Sequence, residues 1–187
     1  MKKRLAMLVL AGAMVTSSLT GCGLKDSATV ATVAGDEIPA GLANFYARMT
    51  QAQYESMYSS YLGDNMWTTE ASEGKTYEKL VKDEVLKDLE NMYLLEDHMD
   101  DYKISLSDDE KKAIKDAAKE FSKDNDKDDK EKVSGDTEYV ERYLYLQTVE
   151  KRMKAAISAT ADTNVSDEEA AQRTFSYMKI SLTTYTD

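Results

Sequence analysis

Residues 29–62 read TVATVAGDEIPAGLANFYARMTQAQYESMYSSYL, and the hydrophobic period changes within that stretch. Thr29-Val30-Ala31-Thr32-Val33 is rich in β-branched residues, and Gly35-Asp36 turns the chain into Glu37-Ile38-Pro39. A short strand or hairpin is expected there. Pro39 then stands where a first helical turn tolerates it. Beyond it Leu42, Phe45, Tyr46, Met49, Tyr54, Met57, Tyr58 and Tyr61 recur at intervals of three and four, the period of an amphipathic helix reaching to about Leu62. The chain therefore announces a β opening followed by helices.

The remaining sequence continues the helical theme. Gly63 to Lys75 reads as a loop. A second helix is expected from about Thr76 to Asp101, with Tyr77, Leu80, Val81, Val85, Leu89, Met92, Leu95 and Met99 as its apolar stripe. Ser107-Asp108-Asp109-Glu110 is a capping box that starts a third helix through Ile114, Ala118 and Phe121. Lys123 to Gly135 is a run of charge, expected to be solvated and mobile. A fourth helix spans about Asp136 to Ser158, carrying Val140, Tyr143, Leu144, Val149, Met153 and Ile157. Ser166-Asp167-Glu168-Glu169 is a second capping box, and 174–182 looks like a strand. The expected fold is mainly α, with a short strand near each end.

Composition removes several functions. The 187 residues hold 24 Lys+Arg against 35 Asp+Glu, a net charge of −11, with one Cys and one His. So acidic a chain lacks the footprint of a nucleic-acid binder. One Cys cannot build a disulfide framework or a Cys-rich zinc site, and one His leaves few routes to nucleophilic catalysis. No phosphate loop or nucleophile elbow occurs. No cofactor is expected.

The N-terminus is an address. Met1-Lys2-Lys3-Arg4, the apolar run Leu5 to Val15 and the small residues after it form a secretory signal too short to span a membrane comfortably. Its ending, Leu19-Thr20-Gly21-Cys22, resembles the bacterial lipobox, which implies cleavage after residue 21 and lipidation of Cys22. Two or three acyl chains, at about 0.8 kcal/mol per buried CH₂, hold where one would be marginal. Cleavage removes Lys2, Lys3 and Arg4 and no acid, so the mature charge falls by three from −11 to −14. Residues 22–28 form a tether spanning on the order of 15 Å. The expected location is the extracytoplasmic face of the bacterial cell membrane, with the acidic body repelled from an anionic surface.

Three further features bear on chemistry. Asp124, Asp126 and Asp128 alternate as in a calcium loop, but Asp129 and Gly135 occupy the positions that need Gly and Glu. His98 falls at a helix end beside Glu96, Asp97 and Asp100, where the helix dipole favours it without any catalytic role. Twelve Tyr and ten Met accompany three Phe and one Trp, and those beyond the signal fall largely in the helical stripes, mostly as core. Tyr54, Met57, Tyr58, Tyr61, Met66 and Trp67 gather at a helix end and loop, where a core covers them least. They are the expected client-contact group.

Val30-Ala31-Thr32-Val33-Ala34-Gly35-Asp36-Glu37-Ile38 resembles the opening of PrsA-type foldase lipoproteins and SurA-type periplasmic chaperones. In both, a helical chaperone module follows and is joined to a parvulin-type peptidyl-prolyl isomerase domain. The resemblance implies a SurA/PrsA-like chaperone module over residues 29–164, with 165–187 the start of a truncated or degenerate parvulin-like segment. Lys179 stands where the isomerase strand carries its His, and no later His follows, so no catalytic residue is carried over. The implied partners are unfolded secreted or envelope proteins, with the membrane reached through the lipid anchor. The alternatives are a prolyl isomerase whose catalytic domain is missing or degenerate here, and a lipoprotein with one specific envelope partner.

Overall fold

The computed structural model describes residues 25–63, 65–72, 74–161 and Ser166. Strands β1 (Thr29–Val33) and β2 (Asp36–Pro39) form an antiparallel hairpin, which settles the choice between strand and hairpin. Ala34 and Gly35, at φ 53° and 100°, make the two-residue connection. Positive φ at both positions matches the right-handed twist of the strands, and Ala34 bears a strain that Gly35 escapes. The register pairs Val33 with Asp36 and Ala31 with Ile38, and shifts between Thr29 and Ala31. Ile38 points inward and is fully buried.

Helix α1 (Ala40–Leu62) follows without a loop. Its leading amides are satisfied by the chain ahead of β1: Ala40 N–H donates to Ala28 O at 2.7 Å, and Gly41 N–H to Asp26 O at 2.8 Å. Gly41 is required by space, because a Cβ there would stand 2.3 Å from Cε2 of Tyr139. Asn44 Nδ2 donates to Ser134 Oγ, which donates to Asp26 Oδ1, each at 2.9 Å. That relay fastens the start of the described chain to α1 and to a corner about ninety residues away.

The described residues between 63 and 75, expected as a loop, hold more regular structure than their composition implied. Met66–Thr68 is a 3₁₀ turn, and β3 (Glu70–Ser72) pairs with β4 (Lys75–Thr76). Both strands are too short to show a period. Helix α2 (Tyr77–Asp97) starts at the Thr76 cap, whose hydroxyl accepts from Lys79 N–H. It buries Val81, Val85, Leu89, Met92 and Tyr93. It stops before the expected Asp101, and a 3₁₀ turn (Asp100–Tyr102) closed by left-handed Lys103 intervenes.

Helix α3 (Asp108–Asp124) begins with both halves of the Ser107/Glu110 capping box formed. The charge run behind it, expected to be solvated and mobile, holds helix α4 (Lys127–Val133). Asp126 caps α4 by accepting from Asp129 N–H at 2.9 Å, which is what that acid of the apparent calcium pattern does. Lys130 Nζ reaches back to Ser122 O, and Ser134 and Gly135 are buried against the corner. The outer face is solvated as composition demands, while the inner end is fixed.

Helix α5 (Thr137–Ala159) joins all three parts of the core. Leu146 packs with Ile38, Leu42, Val85, Leu89 and Met92, between α1 and α2. Val149 and Met153 pack with Leu106 and Ile114. Val140 meets Phe45 and Ala118. Arg142 forks onto Glu96 at 2.7 and 2.6 Å and lies over the Tyr93 ring, locking α5 to α2. The fold is thus mainly helical with short strands, as expected. The signal, Cys22, most of the second capping box and the 174–182 strand lie outside the described residues.

Candidate functional site

The far half of α1 carries the candidate client-contact group, and the structure divides that group in three. Met57, Tyr58 and Tyr61 are exposed, at 58%, 41% and 90% of their surface. Tyr54 and Trp67 are half-buried and pack against the α1–α2 core. Met66 is a correction: it is only 2% exposed, so it is core and offers nothing to a client. The turn at 66–68 sends Met66 inward and leaves Trp67 on the wall outside.

Tyr54, Met57, Tyr58 and Tyr61 share one side of α1 at three- and four-residue spacing, and with Trp67 beside Tyr54 they make up a ridge. The Tyr54 ring sits 5.6 Å from Tyr58 and 6.3 Å from Trp67, spacings at which aromatic pairs attract. Trp67 Nε1 donates to Glu55 Oε1 at 2.8 Å, and Gln51 Nε2 donates to the same oxygen at 2.8 Å. Those bonds from Gln51 and Trp67 hold the Glu55 carboxyl below its usual range. Tyr54 donates to Glu84 Oε2 at 3.4 Å; partial burial and that nearby acid push its phenol up. The ridge therefore presents apolar side chains edged by carboxylates.

On the other side of Trp67 lies a groove of about 290 Å³ between α1 and α2. Ala47 and Val81 supply apolar lining beside the indole, and Asn44, Arg48, Gln51, Glu78 and Lys82 supply polar groups. Lys82 pairs with Glu78 at 2.5 Å. Arg48 Nη1 donates to the neutral Gln51 Oε1 at 2.7 Å. The sequence reading missed this groove. Its lining comes from two helices and a turn, and only the i, i+3 and i, i+4 steps within each helix are visible in the sequence.

His98 ends α2 as expected, with Nδ1 2.8 Å from Asp101 Oδ2, a partner other than the three acids named from sequence. Among the described residues no group of three or more His, Cys, Asp or Glu is placed to hold a metal ion, and no helix is long and apolar enough to cross a membrane. Cys22 lies outside the described residues. Comparison of the chain with protein-family models, with curated proteins and with solved structures finds no match.

Proposed function

We propose that the chain is a membrane-anchored extracytoplasmic folding factor of the PrsA/SurA type, tethered through Cys22 and holding unfolded exported polypeptides. The supporting observation is the ridge. Three large side chains, Met57, Tyr58 and Tyr61, stand exposed on one helix end, backed by the half-buried Tyr54 and Trp67. Isolated exposed apolar residues are ordinary, but a contiguous group rimmed by polar residues marks an interaction surface.

The energetics suit transient holding. Burying one such side chain is worth about 1.5–3 kcal/mol, while association costs roughly 4–15 kcal/mol. Two or three ridge contacts therefore leave weak, rapidly exchanging binding, so release needs no ATP. Met and Tyr adapt to differing partners, and the carboxylate edge favours client segments carrying Lys or Arg beside apolar residues.

The test is aggregation of a chemically unfolded secreted protein diluted into buffer with the purified chain. Light scattering should fall as the chain is added at several-fold molar excess. Scattering unchanged at that excess contradicts the proposal.

A further inference from the structure

Arg48 differs from the other described arginines. Arg142 and Arg152 each pair with a carboxylate, Glu96 and Glu110 respectively. Arg48, among the described residues, has no carboxylate within ion-pair distance and is met only by the Gln51 amide oxygen. Glu55, two helical turns along, accepts from Gln51 and Trp67 through the one oxygen Oε1, and Arg48 attracts its charge without reaching ion-pair distance. In a chain of net charge −11, an arginine at a groove with no carboxylate in ion-pair contact among the described residues is an open seat for a planar anion. Lys82, the groove's other cation, is offset by Glu78.

The geometry points to this groove as the seat of a polypeptide's C-terminal residue, its carboxylate on Arg48 and its apolar side chain against Trp67, Val81 and Ala47. The two demands, an anion on one side and an apolar body on the other, sit within a single 290 Å³ space. That is below the size of sites for larger ligands and suits one large residue. A C-terminal apolar residue presents both features from one Cα. An internal Asp or Glu carries its charge on the very side chain that would have to fill the apolar wall. A free amino acid would bring an ammonium group beside Arg48. Trp67 is shared with the ridge, so residues upstream of the terminus would run out over Tyr54 and Tyr58. The inference rests on the reading that the chain holds polypeptides, and adds to it a preference for apolar free ends.

Trp67 is the chain's single tryptophan, so its emission reports directly on the groove. The purified full chain is titrated with N-acetyl-Ala-Ala-Phe, with the same peptide ending in a carboxamide, and with free phenylalanine. The acid peptide should shift Trp67 emission saturably, and the amide should bind about tenfold more weakly, the loss of one charge-assisted contact. Arg48→Gln should bring the acid peptide down to the amide's level without moving the melting temperature. Equal binding of acid and amide overturns the inference, as does equal or tighter binding of free phenylalanine. Silence of Trp67 toward every peptide also overturns it. If aggregation is still suppressed in any of those cases, the ridge reading stands without the groove; if suppression fails too, both fall.

Discussion

The two halves of α1 carry large apolar and aromatic residues at the same helical spacing and do opposite things. Leu42, Ala43 and Phe45 near its start are buried, with Phe45 edge-on to Phe121 and Tyr143 at 5.5 Å. Met57, Tyr58 and Tyr61 near its end recur at the same three- and four-residue spacing and face solvent. The difference is in what lies alongside. The hairpin, the Asp26–Ser134–Asn44 relay and the ring of Tyr139 close over the first half. Among the described residues, the second half is met by Glu84 of α2, which accepts from Tyr54, and by the Trp67 turn. Periodicity reports that a face is apolar; only a neighbouring element decides whether it becomes core.

The largest break in that comparison should come from truncating the buried half. Phe45→Ala removes a ring packed among Ala118, Val140 and Phe121, and should cost about 3–5 kcal/mol in urea unfolding. Tyr61→Ala at the other end should stay within about 0.5 kcal/mol of the parent. Similar costs for both would show that the two halves are packed alike. The smallest effect expected is a titration. The folded Glu55 carboxyl lies below its usual value near 4.5 because Gln51 and Trp67 donate to it. Its contribution is therefore complete above that value and is lost as pH falls through the depressed folded value. Trp67 emission should change with a midpoint below 4.5, and Glu55→Gln should remove that step. A midpoint at or above 4.5 would mean that the Trp67–Glu55 bond does not hold in solution.

Long periodic elements were legible in sequence, and compact irregular ones were not. Helices α1, α2, α3 and α5 could be read from apolar spacing, and the start of α3 from Ser107 and Glu110, because those signals are local. Helix α4 was hidden behind lysines and acids, since composition records the solvated face and misses the turn that buries Ser134 and Gly135. Strands β3 and β4 were too short to register. Of the contact group, sequence placed Met57, Tyr58 and Tyr61 on the surface correctly and put Met66 there wrongly, because successive residues of a 3₁₀ turn point about 120° apart and this one turns Met66 inward. The Arg48 groove depends on which helices lie side by side, and that is a tertiary fact.

The central claim is that the far half of α1 does the holding, and one variant tests it most directly. Met57→Ser, Tyr58→Ser and Tyr61→Ser combined alter exposed side chains and should leave the melting temperature close to the parent's. Light scattering from an aggregating secreted protein should then rise back toward its level without the chain. A triple variant that keeps its fold and suppresses aggregation as fully as the parent would contradict the claim.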